Sequence, residues 1–83
     1  MADIEVTSPV PGTFYRSPAP GEPPFVSEGR KVTAETVIGN IELMKQFNEI
    51  YAGAAGTLTS FVAADGEAVD SDAVLAIISA DED

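Results

Sequence analysis

The sequence has 83 residues, 45% of them hydrophobic, and a formal net charge of -10. This length accommodates one domain, residues 1–83, and the hydrophobic fraction is typical of a folded chain. The chain has no cysteine and no histidine, so it lacks disulfides, thiolate metal sites and the commonest general base, and we expect no self-contained catalysis. Four cations against fourteen acids exclude the basic surface that nucleic-acid binding needs.

The acidic charge has two interpretations, which are solubility and docking against the basic faces of partner proteins. The sequence contains no 18-residue apolar run, and its N-terminal residues lack a charged segment followed by an apolar one. We therefore expect no membrane segment and a cytoplasmic location.

Taken in chain order, the local signals are mainly those of β-strands. Four of the six prolines lie within residues 16–24. Because proline fixes φ and lacks an N–H donor, this stretch is expected to project as a stiff loop rather than to form a central strand. Short apolar runs separated by Pro, Gly and Asp predict the strands, and they lie at Ile4–Val6, Thr13–Tyr15, Val37–Ile38, Thr57–Val62 and Val74–Ile78.

The segment from Asn40 to Gly53 carries signals of its own that favour a helix. Asn40 is a suitable N-cap and Gly53 a suitable end. Leu43, Phe47 and Ile50 would share one apolar stripe. Taken alone, this window predicts a helix whose lysine is an ordinary solvated cation.

An internal repeat favours a different structure for the same segment. An acidic residue followed by glycine is typical of a tight hairpin turn, because glycine tolerates positive φ. A shift of 37 residues superimposes two such steps and the apolar residues after them, pairing Glu28 with Asp65, Gly29 with Gly66, Val32 with Val69, Val37 with Val74, Ile38 with Leu75 and Ile41 with Ile78.

Two duplicated β units would leave the residues around Lys45 as a hairpin between them. Such a turn favours Asn-Gly or Asp-Gly, whereas this one would contain Met44 and Lys45. A local rule broken in this way often marks a functional position. From these residues alone, both the helix and the hairpin remain open.

The repeat also locates an insertion in the first half of the chain. Gly12 and Gly29 are 17 residues apart, whereas the equivalent Gly56 and Gly66 are 10 apart. The seven additional residues (17 against 10) must lie within the proline-rich segment 16–24.

At residues 42–46, Glu-Leu-Met-Lys-Gln resembles the Glu-Ala-Met-Lys-Met run that marks the acceptor lysine of a known family. That family is the biotinyl domain of the biotin carboxyl carrier proteins of acetyl-CoA carboxylase, within the biotinyl/lipoyl attachment domains. Residues 8–18 look like its opening strand running into a proline-bearing "thumb". Residues 26–32, 48–50 and 62–69 lie at the expected intervals, so the resemblance extends from residue 4 to residue 78.

The resemblance implies an all-β fold: a flattened antiparallel β-barrel or sandwich of two quasi-symmetric four-stranded sheets. The core would run from about residue 4 to residue 78, with a protruding thumb at about 17–24. The helix at 40–53 is then not expected, because tertiary context overrides local propensity.

The resemblance also implies a function, which is that of a biotin carboxyl carrier. Biotin attached to Lys45 would carry a carboxyl group between the biotin carboxylase and carboxyltransferase of an acetyl-CoA carboxylase or a related acyl-CoA carboxylase. The chain would be a substrate of biotin protein ligase and not an enzyme, because an exposed amine is almost wholly protonated near neutral pH and must be activated by the ligase. The residues expected around the biotin are Glu42, Leu43, Met44 and Gln46 at the hairpin and Ser17, Pro18, Ala19, Pro20 and Gly21 in the thumb.

Several departures from the family pattern bear on these expectations. Leu43 and Gln46 replace the usual Ala and Met, so recognition by the ligase could differ. Glu35 stands where the family often has Gly, and the pair at 39–40, Gly-Asn, interrupts a strand that is normally apolar.

Other functions are less well supported by the residues. A lipoyl carrier usually marks its lysine as Asp-Lys-Ala, and an acyl carrier needs Asp-Ser-Leu, which residues 70–72 do not supply. An unmodified interaction module with the same fold is a further alternative. A calcium site at Asp65, Asp70 and Asp72 lacks the ligand spacing of an EF-hand, so no metal is expected.

Overall fold

The computed structural model describes residues 3–19 and 21–80. The segment with helical signals, residues 40–53, contains most of two strands joined by a tight turn, so the local helical prediction is wrong and the all-β prediction is confirmed. Among the described residues there is no helix, and hence none that could cross a membrane. The eight strands are β1 Asp3–Thr7, β2 Gly12–Tyr15, β3 Lys31–Val32, β4 Val37–Leu43, β5 Gln46–Tyr51, β6 Gly56–Phe61, β7 Glu67–Val69 and β8 Val74–Ala80.

The strands form two four-stranded antiparallel sheets, as predicted. The first sheet has the order β1-β8-β6-β3, and the second has the order β5-β4-β2-β7. Alternate side chains of both sheets point inward, where apolar residues form one core between them. The largest side chains that are fully buried there are Phe14, Ile38, Ile41, Leu58, Leu75 and Ile78.

The sequence repeat is a structural repeat. Shifted by 37 residues, β4 coincides with β8, and the turn glycines Gly29 and Gly66 have φ values of 90° and 84°. The Gly29 N–H donates to the carbonyl of Leu58 at 2.6 Å, and the Gly66 N–H donates to the carbonyl of Phe14 at the same distance. Each half therefore makes the same bond to the other half.

The glycines that open β2 and β6 are equivalent in a second way. A Cβ atom at Gly12 would overlap the carbonyl oxygen of Glu42, and one at Gly56 would overlap that of Ser79. Glu42 and Ser79 are themselves 37 residues apart. At both places the neighbouring strand approaches so closely that only glycine fits.

The fold accommodates the departures at residues 35, 39 and 40, with an irregularity in the β4–β5 pairing between Val37 and Gly39. Gly39 and Asn40 are buried within a continuous β4, and a Cβ at Gly39 would overlap the ring of Phe14. Glycine at this position therefore makes room for a large core side chain from β2. Glu35 is not among the residues with positive φ, so the loss of glycine there strains nothing.

The proline-rich segment forms a closed loop and no strand among its described residues. The N–H of Phe25 donates to the carbonyl of Arg16 at 2.9 Å, which joins the two ends of the loop. Within it, the N–H of Glu22 donates to the carbonyl of Ala19 at 3.1 Å. We call residues 17–24 the thumb; Pro20 lies outside the described residues.

Arg16 fastens the base of the thumb to the second half of the chain. Its backbone N–H donates to Oδ1 of Asp65 at 2.7 Å. Its guanidinium donates to the carbonyl of Ala63 at 2.9 Å and lies 4.4 Å from the centre of the Phe61 ring. These contacts fix the direction in which the thumb leaves the barrel.

Candidate functional site

The turn between β4 and β5 consists of Met44 and Lys45. The flanking residues, Leu43 and Gln46, face each other as the last pair of the two strands. Met44 has φ 54° and Lys45 has φ 66°, the signs that a two-residue type I′ hairpin requires. The hairpin predicted at Lys45 is confirmed, and its turn contains two residues that such turns disfavour.

Side chains other than glycine, asparagine and aspartate are disfavoured at positive φ, so this turn is strained. It is held in place by the register of β4 and β5, in which Glu42 pairs with Phe47 and Ile41 with Asn48. At the tip of this turn, Met44 is 87% exposed and Lys45 also faces solvent. The barrel thus presents one lysine side chain at the tip of a tight hairpin.

Glu42, three residues before this lysine, contacts the side chain of Tyr15 on β2. The Tyr15 hydroxyl donates to Oε1 of Glu42 at 3.4 Å. Partial burial, the negative charge of Glu42 and this hydrogen bond raise the pKa of Tyr15 above its usual value. Tyr15 therefore remains a neutral donor and Glu42 its acceptor.

A cavity of about 440 Å³ lies between the thumb and the β4–β5 hairpin. Its volume is within the range of small-molecule sites, and most of its wall is apolar. The structure thus brings four predicted thumb residues together with Glu42, whereas Leu43, Met44, Lys45 and Gln46 do not form its wall. The lining residues are Tyr15, Ser17, Pro18, Ala19, Gly21, Glu42, Phe47 and Asp65.

Three of these residues were missed by the sequence analysis. Asp65 could have been found, because the repeat pairs it with Glu28, and Tyr15, because it directly precedes the base of the thumb. Phe47 was assigned to a buried helical stripe, but it is 58% exposed and its ring centre lies 6.4 Å from that of Tyr15. The alternation of side chains along β5, with Ile50 inward, places Phe47 on the outer face.

The cavity suits a flat, mainly apolar group with a few polar atoms. Tyr15 and Phe47 offer ring surfaces, Pro18 offers an apolar surface, and Ser17 offers a hydroxyl. Among the described residues, no group of three acids could hold a metal ion. Asp65, considered above for calcium, accepts the Arg16 N–H instead.

Comparison with known proteins places these features in a family context. The curated relatives include biotin carboxyl carrier proteins of acetyl-CoA carboxylase from Arabidopsis thaliana (chloroplastic form 1, 49% identical over 88% of this chain and 26% of the relative). The carrier protein of Nostoc sp. is 44% identical over 80% of this chain and 36% of the relative. That of Haemophilus influenzae is 41% identical over 88% of this chain and 47% of the relative. The chain thus spans between about a quarter and a half of these relatives.

A solved structure has the same fold. The urea carboxylase of Kluyveromyces lactis superimposes with a TM-score of 0.79 over 95% of this chain and 6% of that one, at 22% identity. The sequence profile of the Biotin_lipoyl family, described as "Biotin-requiring enzyme", matches residues 4–78. The predicted family is confirmed: the chain belongs to the biotin/lipoyl domains of biotin-requiring enzymes.

Proposed function

We propose that Lys45 accepts biotin covalently and that the domain carries a carboxyl group between the biotin carboxylase and carboxyltransferase sites of an acetyl-CoA carboxylase. One observation carries this proposal. Lys45 stands at the tip of a hairpin in a strained, exposed conformation, directly after Glu42, Leu43 and Met44. The names of the relatives, which are biotin carboxyl carrier proteins, support the same function.

Attachment requires the neutral ε-amine of Lys45 to attack the activated carboxyl carbon of biotin. An amide bond forms, the activating group leaves, and the amine loses its proton. No described side chain contacts Lys45 as a base, so the ligase must supply both activation and proton acceptance. Amidation removes one positive charge, which takes the net charge from -10 to -11.

Once attached, biotin supplies the ureido nitrogen that carries the carboxyl group. The part played by the protein is to present and orient it. The tight β4–β5 turn sets the point of attachment, and tethering gives each partner active site a high effective concentration of the carrier. The proposed partners are biotin carboxylase, carboxyltransferase and biotin protein ligase, and the acidic surface of this chain favours encounter with any of their faces that is basic.

The cavity beside the hairpin is the place we propose for the attached ring between visits to those sites. Ser17, Pro18, Ala19 and Gly21 of the thumb and Glu42 of β4 would contact it. The thumb residues are held there through Arg16, whose contacts with Asp65 and Ala63 fix the base of the loop.

Intact mass spectrometry tests this function directly. The protein is incubated with biotin, ATP and a biotin protein ligase, and in parallel with lipoate, ATP and a lipoate ligase. We expect one biotinyl group per chain, located on Lys45 by peptide mapping, and no lipoylation. The variant Lys45→Arg should remain unlabelled, whereas Lys31→Arg, which removes the other lysine, should be labelled as the parent is. No labelling, or lipoylation alone, would contradict the proposal.

A further inference from the structure

A second groove crosses the outer face of the second sheet, between the thumb and the edge strand β5. It is open to solvent and has a volume of about 730 Å³. Pro18 and Phe25 line it on the thumb side. Phe47 and Tyr51, which are 58% and 50% exposed, line it on the β5 side. The groove is therefore rich in aromatic surface that the fold itself does not bury.

The floor of this groove contains an acceptor that lacks a donor. Asn40 lies in the middle of the sheet and is 6% exposed, and its Oδ1 has no hydrogen-bond partner in the part of the chain that the structure describes. Buried polar atoms are nearly always paired, because burial without a partner is unfavourable. Because this oxygen is fully buried, an N–H donor in the groove reaches it only when the side chains that cover it move aside.

A carboxylate lies next to that acceptor. Glu49 pairs with Asn40 across β4 and β5. Its Oε1 accepts a hydrogen bond from the Tyr51 hydroxyl at 3.1 Å, and this bond raises the pKa of Tyr51. The other lone pairs of the carboxylate remain available. Glu49 is the only charged residue among the described residues that line the groove, so their net charge is negative.

Aromatic walls, an unmet acceptor and a carboxylate together suit a planar cation. A guanidinium stacks on rings and directs several N–H donors to acceptors in its plane, whereas an ammonium is a compact, strongly hydrated charge. The same chain contains an example, since the Arg16 guanidinium lies 4.4 Å from the centre of the Phe61 ring while donating to the carbonyl of Ala63.

We propose that this groove binds an arginine side chain presented by a partner protein. The guanidinium stacks on the aromatic wall formed by Phe47 and Tyr51, donates to Oδ1 of Asn40, and pairs with the carboxylate of Glu49. A partner bound here would lie beside the β4–β5 hairpin, because Phe47 lines both this groove and the cavity near Lys45. The binding does not depend on modification of Lys45, so it can be tested on the unmodified chain.

NMR titration of the ¹⁵N-labelled protein tests the proposal. The probes are three short blocked peptides that differ at one position: acetyl-Gly-Arg-Gly-amide, its citrulline counterpart and its lysine counterpart. Citrulline keeps the shape of arginine without the charge. We expect the arginine peptide to shift the Asn40 side-chain resonances and the backbone amides of residues 47–51, and to bind at least tenfold more tightly than the citrulline peptide and several-fold more tightly than the lysine peptide.

Two variants and one control locate the binding. Glu49→Gln should weaken arginine binding roughly tenfold, as expected for the loss of a charge-assisted pair. Asn40→Leu should weaken it several-fold without loss of stability, since it removes an acceptor that is unpaired in the free protein. Glu5→Gln removes an equal charge from an exposed position of β1, in the other sheet, and should bind as the parent does.

Three results would overturn the assignment: equal binding of the arginine and citrulline peptides, equal binding of the arginine and lysine peptides, or equal loss of affinity in Glu5→Gln and Glu49→Gln. The last would indicate a general response to net charge. Biotinylation of the same variants is measured separately, so that a failure of the groove proposal and a failure of the carrier proposal are told apart.

Discussion

Glu28 and Asp65, 37 residues apart in the sequence, accept equivalent hydrogen bonds from opposite halves of the chain. Oε2 of Glu28 accepts the backbone N–H of Phe61, and Oδ1 of Asp65 accepts that of Arg16, both at 2.7 Å. The two carboxylates occupy the same position before the turn glycines Gly29 and Gly66. The two bonds differ in one respect: the Asp65 bond also holds Arg16, at the base of the thumb.

That difference gives a matched pair of variants. Asp65→Ala should speed hydrogen exchange of the Arg16 amide roughly five- to tenfold, which corresponds to about 1 kcal/mol of lost hydrogen bonding, and should increase the mobility of the thumb. Glu28→Ala should have the same effect on the Phe61 amide and leave the thumb unchanged. Both are measured by amide exchange and ¹⁵N relaxation. Equal thumb mobility in the two variants would show that the Asp65 bond does not fasten the thumb.

The close approaches at Gly12 and Gly56 predict a large loss of stability on adding one methyl group. Gly12→Ala and Gly56→Ala would each place a Cβ in overlap with a backbone carbonyl oxygen. Because the obstructing atom belongs to the backbone and not to a flexible side chain, it cannot move aside easily. We expect each to lower the free energy of unfolding by about 3 kcal/mol, measured by urea denaturation. Gly29→Ala is the control: its Cβ would meet nothing within 4 Å, and only its φ of 90° is unfavourable, at a cost of about 1–2 kcal/mol. The idea fails if Gly29→Ala is the most damaging of the three.

The strained turn predicts that stability and function oppose each other at the hairpin. The double variant Met44→Asn, Lys45→Gly supplies the residues that a type I′ turn favours, and we expect it to raise the free energy of unfolding by about 1–2 kcal/mol. It removes the proposed biotin acceptor. Lys45→Arg retains the left-handed strain and should have the stability of the parent. Unfolding curves of the three proteins decide the matter, and a double variant no more stable than the parent would show that the turn is not strained.

How much of this could be predicted depended on whether a pattern was repeated or purely local. Short apolar runs predicted five of the strands, and the offset of 37 residues, which pairs β4 with β8, predicted the turn glycines. The resemblance to the biotinyl domain decided between hairpin and helix at Lys45. The helical stripe of Leu43, Phe47 and Ile50 was misleading because only Ile50 is buried, and Phe47 lies on the outer face of an edge strand.

The remaining features arise from contacts that have no local pattern. The thumb could be recognised from its prolines, but the cavity and the groove depend on the direction that Arg16 gives it. That direction is set by Asp65, Ala63 and Phe61, about 45 residues further along the chain. Asn40 looked like an interruption of an apolar strand, but it is buried and lines the same groove as Pro18 and Phe25, which lie far from it in the sequence.

The closed base of the thumb allows a precise deletion. The Phe25 N–H already donates to the Arg16 carbonyl, which is the bond that closes a two-residue turn, so residues 17–24 can be replaced by Asn-Gly. We expect an unchanged far-UV circular dichroism spectrum, because the second half of the repeat folds without such a loop. In the biotinylated form, the biotin arm should be more mobile by NMR relaxation, since thumb contacts worth about 1–2 kcal/mol are lost. Equal mobility with and without the loop would identify residues 17–24 as a connector.

The repeat also determines where a linker to another polypeptide segment would join the domain. Leu43, which ends β4 beside Lys45, corresponds to Ala80, which ends β8, and Asp3 of β1 pairs with Ser79 of β8 in the first sheet. In the second sheet, the hairpin follows the end of β4. The equivalent position in the first sheet is the end of β8, beside the start of β1. A linker joined at either of these ends is anchored on the sheet that does not bear the lysine. Such a linker leaves the sheet that bears Lys45 free of covalent attachments to other polypeptide.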